Sequence, residues 1–400
     1  MMPAATTMKL LVGGWEIPDI KTFSYTEDVR QIGNPFSCEI PDPYSRNSKD
    51  VVKGAKVQVY LSNPEVNGGK ETLKLTGRIR NVKQVTRRGE GRVLRVTGSD
   101  LGIHLVKSCG PLYFNLQRTT YKGLLAAVLD PSWGFRGTRL ENDTNRRIIL
   151  GRAQQLLGIT NNGLVPLQYI GIEPGESIAD VLTQVARFAG IMVNVSADGC
   201  LQGWNPNYQR APLYQFHLHA ADEPESVKNN VDAVEVDSSA DELYTHVTCV
   251  GELLFSDFKT GDDPHAGKKR GHYKDTSLLP YRQSLTFVDP EQQDSKASQR
   301  CAEWRSKQQQ YDAWTYGVSV PYHHQGGIWY ATDTIAAVDD STNYDDADPS
   351  DPVPIKGNYY VAALTMHWDE QKGGGTQLSI KRAGLLKAPT TSTTPKSRRF

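Results

Sequence analysis

The chain has no long apolar run. Across its 400 residues no stretch approaches the roughly 20 apolar residues that a bilayer-crossing helix needs, and its start, MMPAATTMKL, lacks a basic-then-apolar leader. The expectation is a protein made in the cytosol, without the usual secretion signal and without membrane insertion. Charge of either sign is not in excess: 45 Lys and Arg balance 45 Asp and Glu. A protein whose main task is to neutralise phosphates carries a basic surplus, so sequence-specific nucleic-acid binding is not expected. Cysteine is scarce and scattered. Cys38, Cys109, Cys200, Cys249 and Cys301 are odd in number and form no CxxC, which argues for free thiols over a disulfide or zinc framework.

Catalytic signatures are missing too. There is no GxSxG elbow, no HExxH, no GxxxxGK[ST] loop and no GxGxxG after a strand. No catalytic, cofactor-binding or metal-binding residue is assigned, and no cofactor is implied. His217-x-His219 places two imidazoles on one strand face but lacks a third placed ligand, so exposed strand histidines are expected. His323-His324 alternate faces if extended and could not chelate together, and a loop position is expected. Asp339, Asp340, Asp345, Asp346, Asp348 and Asp351 lack the oxygen-ligand spacing and central Gly of a calcium loop, and read as a solvated surface loop. Arg87-Arg88 and Lys268-Lys269-Arg270 read as a hairpin tip and a loop. Trp314, Tyr316, Trp329 and Tyr330 lie in strand-like runs, where packing is the expectation.

What is present is a strand–turn–strand pattern written twice, once near each end. Glu71–Asp100 reads ETLKLTGRIRNVKQVTRRGEGRVLRVTGSD, and Lys356–Gly384 reads KGNYYVAALTMHWDEQKGGGTQLSIKRAG. Each has a long strand, a charged Gly-containing turn and a shorter return. The first hundred residues add short strands at Lys9–Val12, Lys21–Tyr25, Ser37–Ile40 and Lys56–Leu61, separated by Gly, Asn and Pro clusters. In Thr72–Val85, Leu73, Leu75 and Ile79 share one parity and should face a core.

The middle of the chain changes period. Helices are expected near Tyr121–Leu129, Arg146–Leu157 and Ser177–Ala189, the last with Ser177 as N-cap and Gly190 at C′. A hairpin, Ile191–Val195 and Cys200–Trp204, should follow. Beyond it, Ala233–Val236 and Tyr244–Gly251 read as strands and Ser256–Thr276 as a mobile loop. A helix from Glu291 to about Tyr311 carries a thin apolar seam of Ala297, Cys301, Trp304 and Tyr311, suited to lying across a β-layer or a neighbouring subunit. Strands Trp314–Val320, Ile328–Val338 and Tyr359–Trp368 build the second module, with Tyr360, Ala362, Leu364, Met366 and Trp368 on one side. Asp339–Pro354 reads as an acidic insertion and PTTSTTPKSRRF as a disordered tail.

At this length roughly two to four domains are expected. The fold class is α+β and β-rich: two tube-like antiparallel β-barrel domains flanking a smaller α/β middle region. The divisions are 8–110, 111–235, 236–388 with its helix at 290–311, and a tail at 389–400.

The order of elements and several local strings resemble the Mu-like baseplate hub proteins of contractile phage tails, a tail-tube-like family related to the hub portion of type VI secretion spikes. The strings are Lys56–Leu61 (KVQVYL) leading to Leu75–Ile79 (LTGRI), and Arg95–Asp100 (RVTGSD) as exit. Tyr121–Leu129, Glu173–Trp204, Arg300–Gln309 and Asn358–Ala383 complete the set. The resemblance covers residues 8–386, and the segments Ser256–Thr276 and Asp339–Pro354 depart from it. It implies a homotrimer in which duplicated modules match a hexameric tail tube on one side and a trimeric central spike on the other, around a channel for DNA. Implied partners are the tail tube protein, the spike, other baseplate proteins and the tape measure protein, at the tail baseplate of a virion assembled in the host cytoplasm. The competing readings are a cell-wall-degrading hub enzyme housed in residues 111–235 and a glycan-binding adhesin using exposed Trp and Tyr. A bacterial contractile injection apparatus would use the same fold.

Overall fold

The computed structural model describes residues 6–42, 47–87, 91–109, 125, 128–140, 175–189, 192–219, 229–251, 270–289, 295–324, 326–345, 353–370 and 373–386. The expected helices at 121–129 (apart from Leu125 and the turn after it) and 146–157, Gly190, and the tail lie outside these. The chain is a β-rich α+β protein organised around one 13-stranded sheet.

The first part supplies β1 (Thr7–Val12), β2 (Trp15–Ile17), β3 (Thr22–Asp28), β4 (Pro35–Pro41), β5 (Lys56–Ser62), β6 (Thr72–Arg87), β7 (Gly91–Asp100) and the short helix α1 (Ile103–Lys107). Alternation makes these half-buried strands: in β5 every second residue, Val57, Val59 and Leu61, is buried. Their core joins Leu10, Phe23, Ile40, Val59, Leu75 and Leu94. Leu73 departs from the expected parity. The register passes from Val59 opposite Leu75 to Tyr60 opposite Leu73, so Lys74 is an extra residue in a bulge.

The middle supplies β8 (Gly137–Leu140), α2 (Ile178–Ala189), β9 (Met192–Val195) and β10 (Cys200–Trp204), with β8 parallel to β10. Ser177 caps α2 as expected: its Oγ accepts from Asp180 N at 3.1 Å and donates to Asp180 Oδ2 at 2.6 Å. Ile178, Val181 and Leu182 close a core with Leu105 and Leu201.

The last part supplies β11 (Tyr214–Leu218), β12 (Ala233–Ser238), β13 (His246–Val250), β14 (Arg270–Lys274), β15 (Ser284–Val288), α3 (Ser295–Ala313), β16 (Trp314–Val320), β17 (His323–His324), β18 (Ile328–Trp329), β19 (Thr334–Asp345), β20 (Val353–Asp369) and β21 (Gly373–Arg382). β11 falls within residues 111–235, yet it pairs with β19 in the large sheet. Three further expectations are corrected. The end of the supposed mobile loop is β14, paired with β13, while 252–269 lie outside the described residues. The acidic insertion continues the β19–β20 hairpin, which pairs out to Asp345 and Val353. The row from Tyr360 to Trp368 does not share one side. A bulge at Ala362 shifts the register, so Tyr360 and Ala362 pack with Trp204 and Tyr311, whereas Leu364 packs with Tyr359, Val361 and Leu378.

α3 lies across β13 and β14, as the thin seam suggested, with Leu285 and Phe287 of β15 beside the same cluster. Its buried positions are Ser298, Cys301, Ala302, Ser306, Gln309 and Tyr311, smaller and more polar than expected, with Trp304 only half-buried. Four of the five free cysteines are buried, Cys109 alone being exposed.

Candidate assembly interface

The two ends of the chain repeat one topology strand for strand. The first unit has spatial order β3-β4-β7-β6-β5-β1 and the second β12-β16-β21-β20-β19-β11. Ranked by chain position within each unit, the two orders are the same. Only the outermost pair differs, β1 being antiparallel to β5 and β11 parallel to β19. The bulges coincide as well. In β6 the register shifts between Ile79↔Gly98 and Asn81↔Thr97, and in β20 between Val361↔Ile380 and Ala363↔Ser379. The duplication seen in the sequence is therefore a duplication of register, anchored at these bulges.

This equivalence identifies what each edge lacks. Beyond its bulge, β20 leaves β19 and takes β3 as its new neighbour, from Ala363 opposite Asp28 to Asp369 opposite Thr22. The two units are thus joined edge to edge within one chain. The junction is reinforced by Thr26 Oγ1 against Thr365 Oγ1 at 3.1 Å and by Trp368, which packs on the first core. Lys74, turned by its bulge, donates to the Tyr330 carbonyl at 3.3 Å and sits 5.5 Å from the Trp329 ring centroid. Burial pushes its ammonium down to about 8.

Among the described residues, the matching half of β6, Asn81–Arg87, pairs with β7 on one side only, and β12 pairs with β16 on one side only. Among the described residues these are the two edges left open when each unit is compared with the other. They are complementary in charge. β12 reads AVEVDS and the open half of β6 reads NVKQVTR. Glu235, Asp237 and Lys83 are exposed, and Val234 and Val236 lean on the second core.

The remaining sequence candidates are dispersed. His217 and His219 share a face of β11, with their rings 6.3 Å apart and nearly parallel, and Asp339 stands opposite His217. His323 and His324 form the two-residue β17, where the sequence suggested a loop. The His323 ring meets Trp329 and the His324 ring meets Tyr214 and Tyr330. Asp340 and Asp345 are buried, which corrects the reading of a solvated acidic loop for these two; Asp346, Asp348 and Asp351 lie outside the described residues. Asp340 accepts from Tyr316 Oη at 2.8 Å, Thr342 N at 2.8 Å and Asn343 Nδ2 at 2.8 Å. Burial opposes its charge, but these donors outweigh it and hold the carboxyl below the ordinary range. Asp345 is held by Arg382 and Tyr359. Trp314, Tyr316, Trp329 and Tyr330 are all buried, as core packing requires. Of the basic runs, Arg87 ends β6 and Arg270 opens β14; 88 and 268–269 lie outside the described residues.

With this geometry in hand, the chain compares with solved structures along nearly its whole length. It superposes on a tail protein from Neisseria meningitidis with a TM-score of 0.70 at 18% identity, covering 97% of this chain and 99% of that one. The 43 kDa tail protein of prophage MuSo2 from Shewanella oneidensis gives a TM-score of 0.70 at 15% identity, covering 94% and 98%. This is the fold of phage tail proteins. A chain of a Francisella PdpA–VgrG complex shares it more distantly, with a TM-score of 0.54 at 8% identity, covering all of this chain and 61% of that one. No protein-family model and no curated sequence relative matches. The likeness is therefore one of fold and strand order, at 15–18% identity.

Proposed function

We propose that this chain is a structural hub of a contractile phage tail baseplate. Three copies form an adapter between a hexameric tail tube and a trimeric central spike, around a channel through which DNA passes. The observation that carries the reading is the duplicated unit with its two complementary open edges. One chain offers two equivalent units, so a ring of six units takes three chains. Further support comes from the tail-protein fold and from the absence of a catalytic string in the sequence.

The internal junction supplies the template for the contact between copies. Phe36 pairs with Gly98 on one side and Tyr25 on the other; Tyr316 pairs with Ile380 and Val236. Gly98 and Ile380 are equivalent, so Tyr25 and Val236 are too. Tyr25 lies opposite Met366, whose counterpart in β6 is Gln84. In the proposed ring Val236 of one copy therefore lies opposite Gln84 of the next, and Asp237 opposite Lys83. The hydrogen-bond phase agrees. Ser239 N bonds Ala313 O at 2.8 Å, which turns the amides of Val234 and Val236 outward; Val29 N bonds Ala362 O at 3.0 Å, which aims those of Phe23 and Tyr25 at β20. Such a head-to-tail edge contact closes into a ring when its rotation matches a whole number of copies.

The test is the variant Val236→Pro, which removes one outward amide while sparing the bonds to β16. Light scattering should give about 133 kDa (three times 44.4 kDa) for the wild type and 44.4 kDa for the variant. A wild-type monomer, both alone and with spike added, would reject the trimer. Under this reading the partners are the tail tube, spike, other baseplate proteins and tape measure protein, in the virion tail.

A further inference from the structure

We propose that His217, His219 and Asp339 bind a divalent transition-metal cation, with Zn²⁺ the best match to the donor set. The sequence alone offers two imidazoles two residues apart on a strand, hence on one face. The fold supplies a third donor. β11 runs parallel beside β19 with His217 directly opposite Asp339, so a carboxylate distant in sequence completes the set. One donor atom from each residue lies within 4.8 Å of the others, and His219 Nε2 stands 4.0 Å from Asp339 Oδ2. Ligands at about 2.0–2.2 Å from one zinc ion are roughly 3.3 Å apart, so closure takes side-chain adjustments of about 1 Å.

Three features make this more than a chance grouping. His217 Nδ1 is buried and has no hydrogen-bond partner among the described residues, a cost that a cation would remove. The backbone carrying both rings is held in place: His217 N donates to Asn230 Oδ1 at 2.8 Å, and His219 N to Asn229 Oδ1 at 2.8 Å. Asn229 Nδ2 returns a bond to the His219 carbonyl at 3.3 Å. Finally, Lys356 Nζ sits on Asp339 Oδ1 at 3.1 Å, which leaves Oδ2 on the imidazole side. The site lies on the sheet face opposite the core residues Phe216 and Val338 and is half-buried.

Two imidazoles and one carboxylate suit borderline cations and do not suit Mg²⁺ or Ca²⁺, which require oxygen-rich shells. Three protein ligands leave a fourth position for water. The bound ion would tie β11 to β19 and, through Asn229 and Asn230, firm the approach to β12.

The test uses the tag-free full chain, stripped with chelator and titrated with Zn²⁺ by calorimetry and with Co²⁺ by visible absorption. One saturable site per chain is expected, with a melting midpoint that rises with Zn²⁺ and ignores Mg²⁺. His217→Ala/His219→Ala and Asp339→Asn should each weaken binding at least about tenfold while melting like the wild type in chelator. Lys356→Ala should tighten it by removing a like charge. Absence of saturable binding, or undiminished binding in the double-histidine variant, would overturn the site. Should that variant fail to fold, unchanged affinity in both Asp339→Asn and Lys356→Ala would overturn it as well.

Discussion

At the scale of single residues, the buried polar groups carry the sharpest consequences. Asp100 is 3% exposed and accepts from Asn34 N at 3.0 Å, Asn34 Nδ2 at 3.1 Å and Gly102 N at 2.8 Å. Burial pushes its carboxyl up to about 7 against the pull of those donors. The folded state therefore holds a proton that the unfolded chain has already released, and stability falls as pH rises from about 4 to about 7. Asp100→Asn should lose this dependence, so its unfolding free energy relative to wild type should improve by up to about 4 kcal/mol over that interval in urea titrations. Parallel curves would mean that Asp100 titrates as a free carboxylate. Leu364→Ala should cost roughly 2–5 kcal/mol, because Leu364 sits in the second core with Val361 and Leu378. A loss under about 0.5 kcal/mol in the same assay would place it outside the core. Alternation identified Leu75, Ile79 and Leu364 as core residues from sequence. It failed at Lys74 and Ala362, where a bulge adds one residue and reverses the faces; nothing in the local composition marks such an insertion.

At the scale of elements, backbone approach decides what packs on what. α3 is pressed so closely on β14 that a Cβ at Gly271 would meet Gln299 N at 1.9 Å and the Ser298 carbonyl carbon at 2.2 Å. Gly271→Ala should therefore destabilise this layer by at least about 1–3 kcal/mol, read as a lowered melting midpoint, and unchanged melting would show that the helix can lift. The same closeness accounts for the small side chains Ser298, Ala302 and Ser306 among the buried positions of α3. Of the expected seam, Cys301 and Tyr311 are buried while Trp304 is only half-buried, since a helix seated on glycine favours small side chains at the contact. β14 was hidden for a related reason: RGHYK is short, polar and Gly-containing, and only its partner β13 makes it a strand. By contrast, Ser177 announced α2 plainly, and Ser177→Ala should cost about 1 kcal/mol in unfolding free energy. No measurable loss would mean that the cap is idle.

At the scale of the whole molecule, the repeated hairpin was visible in sequence, because each copy keeps its strand lengths and its turn. The six-strand unit around it was not, since β11 and β12 are separated from their partner strands by long stretches of chain and reveal themselves only through pairing. The candidate metal site escaped for the same reason: His217 and His219 were noticed, but Asp339 reaches them only through the β11–β19 pairing. In the proposed ring, the edge that β12 leaves open among the described residues meets the corresponding edge of β6 in the next copy, in the register of the internal β20–β3 junction. The direct measurement is disulfide trapping between copies carrying both Lys83→Cys and Asp237→Cys. Opposed antiparallel residues bring their Cα atoms to about 4.5–5.5 Å, within disulfide reach. Oxidation should convert the protein into covalent trimers on a denaturing non-reducing gel, while Lys83→Cys with Val236→Cys, one residue out of register and facing the other side, should remain monomeric. Trapping by the second pair and not the first would contradict the register, and a monomer in both would contradict the ring.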